Sequence, residues 1–404
     1  MAESPTSIGR PLRVSFGLAK PPASSFLYYE WIGDAPIEGK HPWDAKVIAA
    51  HGDSVLFEVI HKVRRNSREY MYNYFVYRAG GSRPPSLSQL SAGRFPTRFQ
   101  RDQGVCTEPT ELSLRNFDTG LLRHGDNDLQ VVHLEMAPGR GPDQSADVSM
   151  LNLSRGEWEF KPAVPIVAGH NGCNEDQTMS WHGGNMVVPV GDRFMCWVSY
   201  KHGLIVHDTV QECPKLRYVP MPLKPRQGYG SYYEGYVPDM EYTRSVCSVG
   251  PCTVRYVSID SRCCCGGPGR GTCVHSRYAF MITTWNLSLS VDDPMTWVKD
   301  TVLDCNDIWT HPAYEGLPRV HPQRPTMSID NPDIVYFFIR DDDCTSFEKC
   351  KVWMVEVDMR VKSVMSVHPC TTKFTMKLIR IILEPRELGQ QSRRPVNGES
   401  SGHD

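Results

Sequence analysis

Between Asn185 and Leu223 short apolar runs alternate with turn residues, and the spacing predicts four strands. Met186–Val190 is followed by the turn Gly191-Asp192-Arg193. Phe194–Tyr200 is aromatic and β-branched and ends at Lys201-His202-Gly203. Leu204–Asp208 and Lys215–Pro220 complete the run. Strand-length apolar segments broken by Gly, Asp and Pro turns read as an antiparallel meander. A second meander is expected from Thr326 to Pro369, with turns at Asn331-Pro332-Asp333, Asp341-Asp342-Asp343 and Arg360-Val361-Lys362. Fainter copies lie at Leu129–Met136, Val148–Leu153 and Trp158–Lys161, and at Tyr278–Asn286 with Met295–Lys299. Long stretches with apolar residues at the helical period are missing. Asp44–Ala49 and Pro109–Leu114 are expected to form short helical turns.

One four-stranded sheet exposes two apolar faces and cannot bury both alone. Sheets set side by side around an axis hide their faces on each other, at roughly 40–50 residues per unit. The fold class expected is therefore mainly β, with repeated antiparallel meanders in an irregular β-propeller. A β-sandwich or two small β domains stay open as alternatives. Residues 1–10 and 371–404 are polar or poorly patterned and are expected to be disordered, leaving 11–370 as the β-rich domain. Phe374–Leu383, apolar and basic, reads either as a closing strand or as a terminus that packs poorly. Residues 261–273, which carry Cys263, Cys264 and Cys265 among glycines, read as a flexible insertion.

Composition narrows the classes of function. The 404 residues carry 44 basic and 46 acidic side chains, a balance that gives no footprint for a polyanion, so nucleic acid is not expected. No apolar stretch approaches the about 20 residues of a membrane helix, and the N-terminus lacks the pattern of a secretory signal. A soluble protein of the cytosol or nucleus is expected. The 14 cysteines are too few for a disulfide scaffold, and reduced thiols are expected there.

Several segments carry a family likeness. Arg13–Pro22, Ala49–Leu56, Tyr74–Tyr77 with Gly120–Arg123, Val188–Tyr200 running on to Leu204, Pro214–Pro220 and Lys351–Met359 together resemble the plant family called domain of unknown function 1618. The likeness spans roughly residues 11–370. It implies a β-rich, propeller-like fold in the style of F-box-associated and kelch domains, and it implies no activity or catalytic residue. The insertion at 263–273 and the chain after Thr371 depart from the family pattern, and no F-box helix pattern precedes residue 11.

Candidate chemistry is thin. Cys247, Cys252, Cys263, Cys264, Cys265, Cys273 and His275 cluster in sequence without a Cys-x-x-Cys pair, so no zinc site is assigned. Gly266–Gly271 lacks the Gly-Lys-Ser/Thr of a phosphate loop. No nucleophile elbow and no His-Glu-x-x-His occurs. His202 and His207 read as a turn residue and a partly buried polar partner. Asp341–Asp343 reads as a solvated turn rather than a calcium loop. No catalytic residue, metal ligand or cofactor is assigned. Most tryptophans sit on expected strands, but Trp181 and Trp309 lie in links, where aromatic rings can anchor a partner. The expected function is a non-enzymatic protein-interaction module with an unidentified protein partner. The alternative is a propeller-type hydrolase or carbohydrate binder, since fold does not fix function.

Overall fold

The computed structural model describes residues 1–6, 11–17, 26–32, 43–62, 70–80, 84–96, 98–104, 108–125, 128–137, 144–169, 181, 183–211, 214–223, 240–263, 278–328, 330–341, 351–370 and 382–385. Strands dominate, and they group into four-stranded units. The first sheet holds β1 (Ala2–Pro5), β2 (Pro11–Gly17) and β3 (Phe26–Trp31), and takes its fourth strand, β26 (Ile382–Pro385), from the far end of the chain. The second is β4 (Trp43–His51), β5 (Ser54–Lys62), β6 (Tyr70–Arg78) and β7 (Ser86–Gln89). A small ribbon of β8 (Arg94–Phe95) and β9 (Thr110–Glu111) flanks the helix α1 (Arg98–Asp102).

An eight-stranded sheet follows, in the order β10-β11-β12-β13-β17-β16-β15-β14. It consists of two meanders: β10 (Thr119–His124), β11 (Asp128–Met136), β12 (Ser145–Asn152) and β13 (Glu157–Ala168), then β14 (Met186–Val190), β15 (Phe194–Ser199), β16 (Gly203–Asp208) and β17 (Leu216–Pro220). Their last strands pair in parallel over Ile166–Ala168 and Leu216–Tyr218. We count them as the third and fourth units. The fifth is β18 (Arg244–Ser248), β19 (Thr253–Ser261), β20 (Phe280–Ser288) and β21 (Trp297–Asp304), followed by the helix α2 (Cys305–Trp309). The sixth is β22 (Gln323–Met327), β23 (Ile334–Arg340), β24 (Val352–Asp358) and β25 (Ser363–Cys370).

The period of two along a strand explains why the units stand side by side. In β15 every residue is buried, and the strand feeds two cores at once. Met195 and Trp197 pack with Leu122, Val132 and Val148 of the third unit. Phe194, Cys196 and Val198 pack with Val254 and Tyr256 of the fifth. β19 divides in the same way, with Val254 and Tyr256 towards the fourth unit and Val257 and Ile259 towards Val335 and Phe337 of the sixth. Two further cores join the first unit to the second and the second to the third. The first strands of successive units touch, β4 with β10, β10 with β14, β14 with β18 and β18 with β22, while β26 lies against β4. These strands therefore run along a common axis, and the molecule has the layout of an irregular β-propeller.

Three expectations need correcting. Asp44–Ala49 lies within β4, not in a helical turn, because the segment pairs with β5 across a bulge between Val47 and Ala49. Pro109–Leu114 carries β9 and extended chain. Residues 2–5 form β1, paired with β2 from Ala2–Val14 to Pro5–Pro11, within the segment read as loose. Residues 264–277, with Cys264, Cys265, Cys273 and His275, lie outside the described residues, as do 342–350, 371–381 and 386–404.

Candidate functional site

In an up-and-down four-stranded unit the link from the last strand to the first strand of the next unit emerges at one end of the axis. The turn between the second and third strands emerges at the same end. The links after β7, β13, β17 and β21 carry most of the irregular chain described here, so this end is where side chains are not committed to ladders.

Neighbouring links are knitted together. Gly184, before β14, lies against the carbonyl of Phe117, before β10. Asn185 donates from Nδ2 to Glu241 Oε1 at 3.3 Å, before β18, and its Oδ1 accepts from the Tyr200 N–H at 3.0 Å. The Arg324 guanidinium, on β22, lies 4.5 Å from the centre of the Tyr242 ring. Trp197 Nε1 donates to the Asp118 carbonyl at 2.8 Å and fixes the start of β10.

Trp181 and Trp309 both lie at this end, each half-buried. Trp181 packs on the core between the third and fourth units, and Trp309 on the core between the fifth and sixth. Trp309 meets Phe280 edge to face at 5.7 Å, and Arg319 lies 5.8 Å above its ring. Nothing in the geometry brings these two tryptophans together. Tyr70 and Tyr72, which head β6 at the same end, were not singled out from the sequence, and they are 49% and 44% exposed.

Polar chemistry at this end is specific. Burial, aided by Glu135 and opposed by Arg115, pushes the Asp118 carboxyl up to about 6. Ser261 Oγ lies 3.3 Å from His321 Nε2, and His321 Nδ1 is 3.3 Å from the Pro322 carbonyl. Burial holds the His321 imidazole below its ordinary value. The two histidines flagged in the sequence diverge: His202 is a turn residue whose carbonyl accepts from Tyr218 Oη, whereas His207 is fully buried beside Trp197. Asp341 is described, while Asp342 and Asp343 are not. Among the described residues no group of three or more His, Cys, Asp or Glu could hold a metal ion, and no helix is long and apolar enough to cross a membrane.

The model of a family described as a protein of unknown function, DUF1618, matches residues 197–336. That match supports the DUF1618 family. It runs from Trp197 in the fourth unit to Tyr336 in the sixth and so includes Trp309. No curated protein matches the chain. Among solved structures, fructan 1-exohydrolase IIa from Cichorium intybus is similar over 89% of this chain and 60% of its own, with 8% identity and a TM-score of 0.26. This chain therefore spans about 60% of that enzyme's length. A variant levansucrase from B. megaterium is similar over 92% of this chain and 89% of its own, with 8% identity and a TM-score of 0.28. The xylan beta-1,4-xylosidase from Bacillus halodurans C-125 is similar over 90% and 81%, with 9% identity and a TM-score of 0.28.

Proposed function

We propose that this chain is a protein-interaction module of plant type, acting in the cytosol or nucleus, and that it binds its partner at the link end. The observation that carries this reading is the set of aromatic rings there. Tyr70 and Tyr72 are half-exposed at the head of β6, and Trp181 and Trp309 are footed in inter-unit cores. A ring with one edge in a rigid core and the other open can bury area on a partner at little entropic cost. Tyr72→Ala leaves the cores intact and tests the reading. A purified partner should bind the variant more weakly, by about 1 kcal/mol or more. Unchanged affinity for Tyr72→Ala, Trp181→Ala and Trp309→Ala alike would remove its support.

A second reading, a hydrolase or carbohydrate binder, is favoured by Asp118. A carboxyl that holds its proton to about pH 6 can act as a general acid. Turnover of a glycoside or ester by the wild type and none by Asp118→Asn would support it. A substrate screen without turnover would count against it.

A further inference from the structure

Among the described residues many arginines are held by carboxylates. Near the fifth and sixth units, Arg244 bonds Asp260 at 3.2 Å, Arg255 reaches Asp300 at 2.5 Å and Asp333 at 3.4 Å, and Arg262 bonds Asp304 at 2.7 Å. Arg115, 5.8 Å from the centre of the Phe117 ring, and two arginines near the sixth unit break this habit at the link end. Arg324 lies over Tyr242 and Arg319 over Trp309, and among the described residues neither is within ion-pair distance of a carboxylate. Both belong to the approach to the sixth unit and its first strand. Arg319 is exposed and Arg324 half-buried.

Stacking uses the flat face of a guanidinium and leaves its N–H donors free in the plane. Those donors match the two oxygens of a carboxylate. The aromatic ring also limits the rotamers of a long side chain, so less freedom remains to be lost when an anion binds. Arg324 is moreover held in the left-handed region, with φ of 54°, at the register shift of β22 between Gln323 and Thr326. A side chain with a Cβ rarely sits there, and such strain is found where it aims a functional group. Glu241, on the same end, is engaged by Asn185, Asp260 by Arg244 and Asp304 by Arg262.

We infer that Arg319 and Arg324, each laid on an aromatic ring, form a carboxylate-binding site for an acidic peptide segment of the partner. This rests on the interaction reading and adds the chemistry of the partner to it. The test is fluorescence anisotropy of the full chain with a short labelled Asp/Glu-rich peptide and with its Asn/Gln counterpart. The acidic peptide should bind, more weakly as salt rises, and its amide counterpart should bind at least roughly tenfold more weakly. Arg319→Gln with Arg324→Gln should lose about tenfold in affinity. Arg324→Gly removes the guanidinium while relieving the backbone, so it should lose binding with unchanged or raised thermal stability. Arg360→Gln, in the turn after β24 at the opposite end, should bind like the wild type.

Absence of acidic-peptide binding, equal binding of the two peptides, or full affinity in the double variant would overturn the proposal. Tighter binding of a single-stranded RNA oligonucleotide than of the acidic peptide would overturn it too. If the double variant keeps a partner that Tyr72→Ala loses, the interaction reading stands and the carboxylate site falls.

Discussion

His207 lies on β16 with neither ring nitrogen hydrogen-bonded, and burial holds its imidazole down to about 4. His133, beside Thr119 on the adjoining unit, is likewise held at about 4 by burial. An unfolded chain returns both to about 6.5. The folded state therefore binds fewer protons than the unfolded one between these values. The stability that comes from keeping these rings neutral is full above about pH 6.5 and is lost as the pH falls towards 4. Asp118 acts in the opposite sense. Its carboxyl is raised to about 6, so its burial costs the fold most above that pH and progressively less as the group protonates. Urea midpoints should fall between pH 6.5 and 4. His207→Leu removes an unsatisfied buried polar group, so it should flatten that slope and raise stability by about 1–3 kcal/mol at pH 5. An unchanged slope in that variant would show that the ring is protonated or solvated in the fold.

At the scale of elements, the meanders that were legible in the sequence are those whose strands are apolar and whose turns are punctuated. β14 to β17 and β23 to β25 fall close to their expected bounds because Gly191, Gly203 and Asn331-Pro332-Asp333 leave the chain few other options. β4 was not legible. Asp44-Ala45-Lys46 and Ala49-Ala50 favour helix locally, and pairing with β5 overrides that preference. The tyrosines of β6 and the arginine shelves were hidden for another reason. Tyr242 and Arg324 are remote in sequence, and only the side-by-side stacking of units brings their links together. The turn at Gly191 illustrates the tightness of that stacking. Its backbone is left-handed, with φ of 59°, and a Cβ there would overlap the Pro251 carbonyl of the fifth unit. Gly191→Ala should destabilise by about 2 kcal/mol or more, as a lowered denaturation midpoint with unchanged circular dichroism at low temperature. A midpoint equal to wild type would mean that the fourth and fifth units sit further apart at this end.

Over the whole molecule, each unit hides its faces only against its neighbours, so the units depend on one another. The first unit depends also on β26, which pairs in parallel with β3 from Ile382–Phe26 to Pro385–Tyr29 and lies beside β4. The sequence left Phe374–Leu383 open between a closing strand and a poorly packed terminus, and residues 371–404 were expected to be disordered. β26 at Ile382–Pro385 corrects that expectation, which failed because strand pairing across the whole chain has no local signature. A chain ending at Cys370 would expose the edge of β3. It should melt at lower temperature and self-associate, as measured by thermal denaturation and sedimentation. A truncated chain as stable and monodisperse as the full one would remove β26 from the account.

The central claim is that the end bearing the links is where a partner docks. Hydrogen–deuterium exchange of the full chain with and without a purified partner tests it most directly. The account predicts new protection at residues 70–72, 90–96, 108–118, 181, 183–186, 240–244 and 305–324. Protection confined to the opposite turns, at 51–54, 124–128, 191–193 and 359–362, would contradict it.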